Sequence, residues 1–193
     1  VTGFLRQMLI GATLGATVGT AFSSANQIPN LVTEIVLGAV LTSLVVPVLV
    51  RAEKEDTDRG ETFVRRLFTL AFSILGIVTI ASVVLAPFLT RMMLPEDSKA
   101  NAVQATSLAF LLLPQILFYG LFALFQAVLN TKNVFGPGAW APVINNFISI
   151  GVLLAYRFLP GELDPHEPTP VADPHVMLLG LGTTTAVMVQ CLI

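Results

Sequence analysis

Val1-Thr2-Gly3-Phe4-Leu5-Arg6-Gln7-Met8-Leu9-Ile10-Gly11-Ala12-Thr13-Leu14 is an apolar stretch built around a single guanidinium. An arginine side chain stays charged at any ordinary pH. Placing it at the centre of a lipid-embedded helix costs from a few to more than ten kcal/mol. A chain that keeps Arg6 there must supply water, a counter-ion or an anionic ligand, or let the side chain snorkel to the interface from a helix end. Both readings stand at this level: a cation facing a cavity inside a helix bundle, or a residue anchoring a helix terminus.

The wider composition carries the same message. Hydrophobic residues make up 54% of the 193 residues and charged residues only 11%, with a mean hydropathy of +0.81. A soluble domain has roughly 25% charged residues, and a membrane span needs about 20 predominantly apolar residues. The chain is therefore expected to be an all-α, polytopic membrane helix bundle. The single cysteine, Cys191, excludes an internal disulfide and a site built from several thiolates. Because the chain opens on Val1 and stops at Ile193 within an apolar run, it is expected to be a fragment of a longer protein.

Outward from the first segment, apolar runs and breakers predict about six spans: 1–14, 20–50, 67–94, 107–129, 139–158 and 176–193. Gly15 to Gly19 is the expected turn between the first two. The second would be some 46 Å long at about 1.5 Å per residue, longer than a bilayer requires. Pro29 and Pro47 are expected to kink or break it. Its first half is polar, with Ser23, Ser24, Asn26, Gln27, Asn30, Thr33 and Glu34. Arg51 to Arg66 reads as a charged loop with five acids, too nearly balanced to be a nucleic-acid patch. Pro95 to Lys99 is a short polar loop, and Pro114 lies inside the fourth span. Leu159 to His175 holds five prolines, four acids and both histidines without a helical period, and reads as a solvated loop.

Positive charge orients the bundle. Arg51, Lys54, Arg59, Arg65, Arg66 and Lys132 fall on one side, against Arg91, Lys99 and Arg157 on the other. The positive-inside bias makes the first set cytoplasmic, together with the N-terminus, and Glu162 to Asp173 external.

No catalytic motif is present: there is no phosphate loop followed by lysine, no nucleophile elbow and no paired-histidine helix. His166 and His175 match no metal-ligand spacing. No catalytic residue, metal site or cofactor is assigned, and the chain is not read as an enzyme. Gln115, Gln126, Asn145 and Asn146 either line a cavity or join neighbouring helices. The remaining chemistry is Arg6 and Gln7 facing the polar half of the second span, with Asn30 and Glu34. Charged groups inside a membrane, flanked by amides and hydroxyls, point to a substrate path. Arg6, Asn30 and Glu34 are the candidate binding residues. Arg6 and Glu34 are expected to pair when no substrate is bound.

Several stretches also carry a family resemblance. Gly3-Phe4-Leu5-Arg6, Leu14-Gly15-Ala16, Ile28-Pro29-Asn30-Leu31, Gly38 to Ser43 and Val46-Pro47 lie in the first hairpin. Ala127 to Thr131, Phe135, and Ala141-Pro142 through Asn146 lie further on. Together they resemble the lipid II flippases of the MurJ/MviN type, in the superfamily of multidrug, oligosaccharidyl-lipid and polysaccharide exporters. The resemblance implies most of the first lobe of a two-lobe transporter in the bacterial inner membrane. It implies that the protein moves an undecaprenyl-diphosphate-linked peptidoglycan precursor from the inner to the outer leaflet by alternating access. Implied partners are that precursor, membrane lipids, the remaining lobe and cell-wall synthesis proteins, with no nucleic acid. Arg6 falls on one arginine of the family's cationic cavity. Thr33 stands where a second basic residue would fall, while Gln7 and Thr20 stand where acids are often found. The alternatives are another flippase or exporter of the superfamily, for polysaccharide-lipids or for drugs and cations, and a non-transporting membrane scaffold for cell-wall enzymes.

Overall fold

The computed structural model describes residues 2–38, 61–94, 101–161, 163–164 and 169–193. Its helices are α1 (Thr2–Thr33, continued by a π-helical turn Glu34–Gly38), α2 (Glu61–Val84), α3 (Ala86–Met93), α4 (Ala102–Leu112), α5 (Gln115–Thr131), α6 (Gly136–Tyr156) and α7 (Pro174–Leu192). Among the described residues there are no strands. Four segments are long and apolar enough to cross a membrane, Thr2–Gly38, Thr62–Val84, Gly136–Tyr156 and Pro174–Leu192, and the bent pair α4 and α5 makes a fifth. The chain is an all-α polytopic membrane bundle.

The difference between five segments and the expected six lies in α1, which is two limbs joined at a break. The expected five-residue turn is a break at one residue, Gly15, with φ 71° and ψ 176°, and the helix resumes at once. Such a φ is open to glycine at little cost and strained for side-chain-bearing residues. The break folds the helix back on itself. A Cβ on Gly19 would lie 3.6 Å from the Ile10 side chain and 3.7 Å from its carbonyl oxygen, where a straight helix would separate the two residues by about 13 Å. Residues 2–14 form a limb of about 20 Å, short of the roughly 30 Å hydrocarbon core.

Prolines account for other breaks. Pro114 separates α4 from α5, which are bent by 46°, because its ring displaces the preceding turn and it brings no N–H. Pro87 sits in the first turn of α3, after a break at Leu85. Pro29 lies inside α1 without ending it, and the helix loosens to π spacing one turn later. Thr33 Oγ1 donates to the Pro29 carbonyl at 2.8 Å and also lies 3.4 Å from the Ile116 carbonyl of α5. Helix starts differ from expectation in one direction. α2 begins at Glu61 rather than Leu67, so Arg65 and Arg66 are helical, α6 begins at Gly136, and α7 begins at Pro174. Asp173 caps α7 by accepting from His175 N at 2.8 Å, a polar device that hydropathy does not register. Pro47, most of the Arg51 to Arg66 stretch and Pro95 to Lys99 lie outside the described residues.

Lipid gives helices no hydrophobic reason to associate, so close packing and hydrogen bonds must hold them together. α1 buries Ile10, Leu14, Val18, Phe22, Ala25 and Ile28 in the bundle centre, against α4, α5 and α6. α7 lies against α4, α5 and α6, with Gly180 directly under Leu111 and Gly182 under Val152. α2 is peripheral: Leu75 is fully buried against Gly120 of α5, while Ile77, Ile80 and Val84 are each more than two-thirds exposed, as befits a lipid-facing surface.

The loop expected to be solvated is docked in its described parts. Ser107 donates to the Thr169 carbonyl at 2.8 Å and Gln104 to Thr169 Oγ1 at 3.2 Å. The Tyr156 hydroxyl accepts from Leu163 N at 3.2 Å. Leu163, Thr169 and His175 are buried. A proline-rich, acidic composition gave no sign of this, because the partners are polar groups on α4 and α6, far along the chain.

Candidate functional site

The polar half of α1 presents two faces. Thr20, Ser23, Ser24 and Gln27, at helical spacing, share an open groove of about 330 Å³ with Gln7 and Gly11 of the opposite limb. Asn30, Thr33 and Glu34 line a separate cleft of about 280 Å³ with Tyr119, Phe122 and Gln126 of α5 and Gln190 of α7. The break at Gly15 creates the first groove by bringing Gln7 opposite Gln27. The π-helical turn shapes the second, since Glu34 opens it and Leu37 closes its floor.

Arg6 lines neither. It is half-buried, and its electrostatic neighbour is the Tyr119 hydroxyl. Thr2 Oγ1 accepts from Asn146 Nδ2 at 3.2 Å, and Asn146 is ten residues into α6, about 15 Å from its start. Helical side chains lean toward the N-terminus, so the guanidinium comes back toward that level. Arg6 therefore belongs to the middle of the bundle and does not snorkel from a helix end.

A polar ladder joins α6 and α7 near Tyr119, whose hydroxyl is electrostatically coupled to Arg6 and Asn145. Asn145 Nδ2 also donates to Gln190 Oε1, and its Oδ1 accepts from Ser149 Oγ at 3.2 Å. Asn145, Ser149 and Gln190 are all buried. A second tie runs from Gln115 Nε2 to Thr184 Oγ1 at 3.0 Å, and Thr184 Oγ1 in turn donates to the Leu111 carbonyl at 2.7 Å. Of the four amides noted from sequence, Gln115, Asn145 and Asn146 join helices, while Gln126 lines the cleft.

The structure thus brings Asn30 and Glu34 together along one cleft whose lining does not include Arg6. The expected Arg6–Glu34 pair is not formed: among the described residues no ion pair joins them. Hydropathy and spacing along a helix do not fix which way each side chain turns about its axis. Tyr119 and Asn145 were missed as members of one site. One signal was available for Tyr119: the chain has 2 tyrosines against 13 phenylalanines, so a hydroxyl retained in Leu117-Phe118-Tyr119-Gly120 needs a partner. Of the two histidines, His166 lies outside the described residues. His175 is buried with Nδ1 3.3 Å from Asp173 and its ring edge-on to Tyr156. Among the described residues no three metal-ligating side chains converge.

Fold and site define a class: a polytopic membrane protein whose bundle carries a half-buried cation and a polar cleft. The family model for the lipid II flippase MurJ matches residues 10–193. The chain belongs to that family. It is 28% identical over 124 residues to the probable lipid II flippase MurJ of Rhizobium meliloti (strain 1021), an alignment covering 62% of this chain and 23% of that protein. The chain thus spans about a quarter of the length of that curated relative. No solved structure matches it.

Proposed function

We propose that this chain is part of the first lobe of a flippase in a bacterial inner membrane. It would move a lipid-linked peptidoglycan precursor, an undecaprenyl-diphosphate-bearing head group, from the inner to the outer leaflet. Family membership supports the substrate class, and the observation that carries the reading is Arg6, a half-buried cation at mid-bundle electrostatically coupled to Tyr119, which lines a polar cleft. Burying an unpaired charge in hydrocarbon is prohibitive. A diphosphate therefore needs a lined path, and guanidinium forks give phosphate paired, charge-assisted hydrogen bonds. A cleft of about 280 Å³ sits at the small end of ligand pockets, which run from about 300 to 1,000 Å³. It takes the diphosphate and not the whole head group, whose remainder faces the second lobe. Asn30 orients the ligand from α1, and Glu34 assists its release by repulsion.

Gly15, the loosened turn after Pro29 and the bend at Pro114 supply the flexing points for alternating access. The reaction breaks no bond, and no cofactor is called for. By positive charge, the end carrying Arg65, Arg66 and Lys132 is cytoplasmic and so is the N-terminus. The test is complementation of flippase-depleted cells by the full-length protein. Arg6→Ala should abolish growth while leaving membrane insertion intact, and Arg6→Lys should restore only part, since an ammonium lacks the two-donor fork. Normal growth with Arg6→Ala overturns the proposal. A second reading, a cation exporter of the same superfamily, draws on Glu34, which has no ion-pair partner among the described residues. That reading predicts that Glu34→Gln abolishes transport and that Arg6→Ala does not.

A further inference from the structure

The bend between α4 and α5 leaves a carbonyl whose partner comes from another helix. In an unbroken helix the Leu111 carbonyl would accept from the backbone N–H four residues on, at Gln115. Pro114 breaks that register, and across the 46° bend the carbonyl accepts from Thr184 Oγ1 of α7 at 2.7 Å. Among the described residues no backbone bond from Gln115 N crosses the bend. The Gln115 side chain turns to the same hydroxyl, with Nε2 3.0 Å from Thr184 Oγ1. A carbonyl can only accept, so the Thr184 proton goes to Leu111 and Gln115 is the donor to Thr184. Gly180, one turn earlier on α7, permits this approach, since a Cβ there would lie 2.5 Å from Leu111 Cβ. Gln115 is fully buried, and its Oε1 has no hydrogen-bond partner among the described residues. A buried acceptor without a donor destabilises the arrangement that contains it, so the bent state carries a penalty that re-aiming Gln115 would relieve.

We propose that Thr184 is a latch on the α4–α5 hinge. Its hydroxyl holds the bent state by standing in for the backbone donor, and its release lets Gln115 N recapture the Leu111 carbonyl as the helix straightens. The carbonyl keeps a partner in both states, so the exchange costs little, and packed helices switch between discrete arrangements of this kind. The latch lies between two parts of the bundle. α4 holds the docked loop through Gln104 and Ser107, while α5 carries Tyr119, Phe122 and Gln126 of the cleft. α7 supplies Thr184 to the latch and, less than two turns further on, Gln190 to the same cleft. A ligand that draws Gln190 and α7 toward the cleft therefore acts on the hinge as well. Thr184 is a positioning residue, acting through the bend and not by contact with a ligand. The inference concerns the hinge and holds whatever solute the cleft takes.

The experiment measures the distance between spin labels at Val103→Cys on α4 and Lys132→Cys just after α5, in a Cys191→Ser background of the full-length protein in lipid nanodiscs. Val103 and Lys132 are both exposed. At about 1.5 Å per residue, straightening a 46° bend lengthens this span by about 3 Å. Thr184→Val keeps the side-chain shape and removes the proton. It should shift the population toward the longer distance about three- to tenfold, the worth of one interhelical hydrogen bond in a membrane. Thr184→Ser loses the methyl but keeps the hydroxyl, and should retain the parent distribution. In a Pro114→Ala background the unbroken helix satisfies the Leu111 carbonyl itself, so Thr184→Val should add nothing. An unchanged distribution in Thr184→Val overturns the inference. An equal shift in Thr184→Ser assigns the effect to packing and also overturns it, as does an undiminished Thr184→Val effect on Pro114→Ala.

Discussion

Gly180→Ala tests whether the bundle is held by backbone proximity between α4 and α7. A Cβ on Gly180 would lie 2.5 Å from Leu111 Cβ, 2.7 Å from its Cδ1 and 3.1 Å from its Cγ. Carbon atoms rest at about 3.5–4.0 Å, so the helices must part by about 1 Å. Leu111 cannot relieve this by changing rotamer, because its own Cβ is the nearest atom. One turn further on, Thr184 Oγ1 donates to the Leu111 carbonyl at 2.7 Å and accepts from Gln115 at 3.0 Å. A separation of that size breaks the first bond and strains the second. Overpacking costs about 1–3 kcal/mol, and an interhelical hydrogen bond in a membrane adds about 0.6 kcal/mol. Against this, alanine gains about 1 kcal/mol over glycine in helix propensity. The net loss should be about 1–3 kcal/mol, measured as a lowered thermal unfolding midpoint of the full-length protein in detergent. Gly76→Ala on α2 is the control, since nothing lies within 4 Å of its Cβ position, and it should hold or raise the midpoint. Gly182→Ala meets Val152 Cγ2 at 2.6 Å and Cγ1 at 2.8 Å, so Val152→Ala should rescue it, whereas Leu111→Ala should not rescue Gly180→Ala. A Gly180→Ala protein that melts at or above the parent would refute the packing argument.

Two further outcomes concern charge. Glu34→Gln should tighten diphosphate binding by at least about tenfold, and by about a hundredfold or more if both ligand charges are felt, and slow its release. A carboxylate about 10 Å away at an effective dielectric of about 20 repels each unit of anionic charge by about 1.7 kcal/mol. Weakened binding would mean that Glu34 serves the ligand through a cation. For orientation, cysteines replacing Lys132 and Arg157 in a Cys191→Ser background should react with an impermeant thiol reagent from opposite sides, Lys132→Cys from the cytoplasm. Both labelling from one side would reject the topology. Thr169, in the loop that follows Arg157, is a poor reporter because it is buried.

Membrane residence was written in composition. Eleven per cent charge over 193 residues leaves no soluble surface to build, and lipid then forces backbone groups to pair within helices. The break at Gly15 was legible too, because glycine acts through its own backbone geometry, whereas the bend fell at Pro114, inside an expected span, and Pro29 does not end its helix. Arg6 was legible as a cost that demanded an explanation, and Asn30 and Glu34 as polar groups on an apolar helix. What remained hidden was azimuth. The direction a side chain faces about a helix is set by which neighbour packs where, and those neighbours lie up to 144 residues away, as in the Thr2–Asn146 contact. So Arg6 was expected to meet Glu34, yet α5 places Tyr119 beside it. Likewise, the loop expected in water is held by Gln104 and Ser107. Helix lengths and breaks follow from local stereochemistry and hydropathy, which each residue carries with it. The cleft and its polarity exist only where three helices meet, because a hydrogen bond acquires a direction only when both partners are in place.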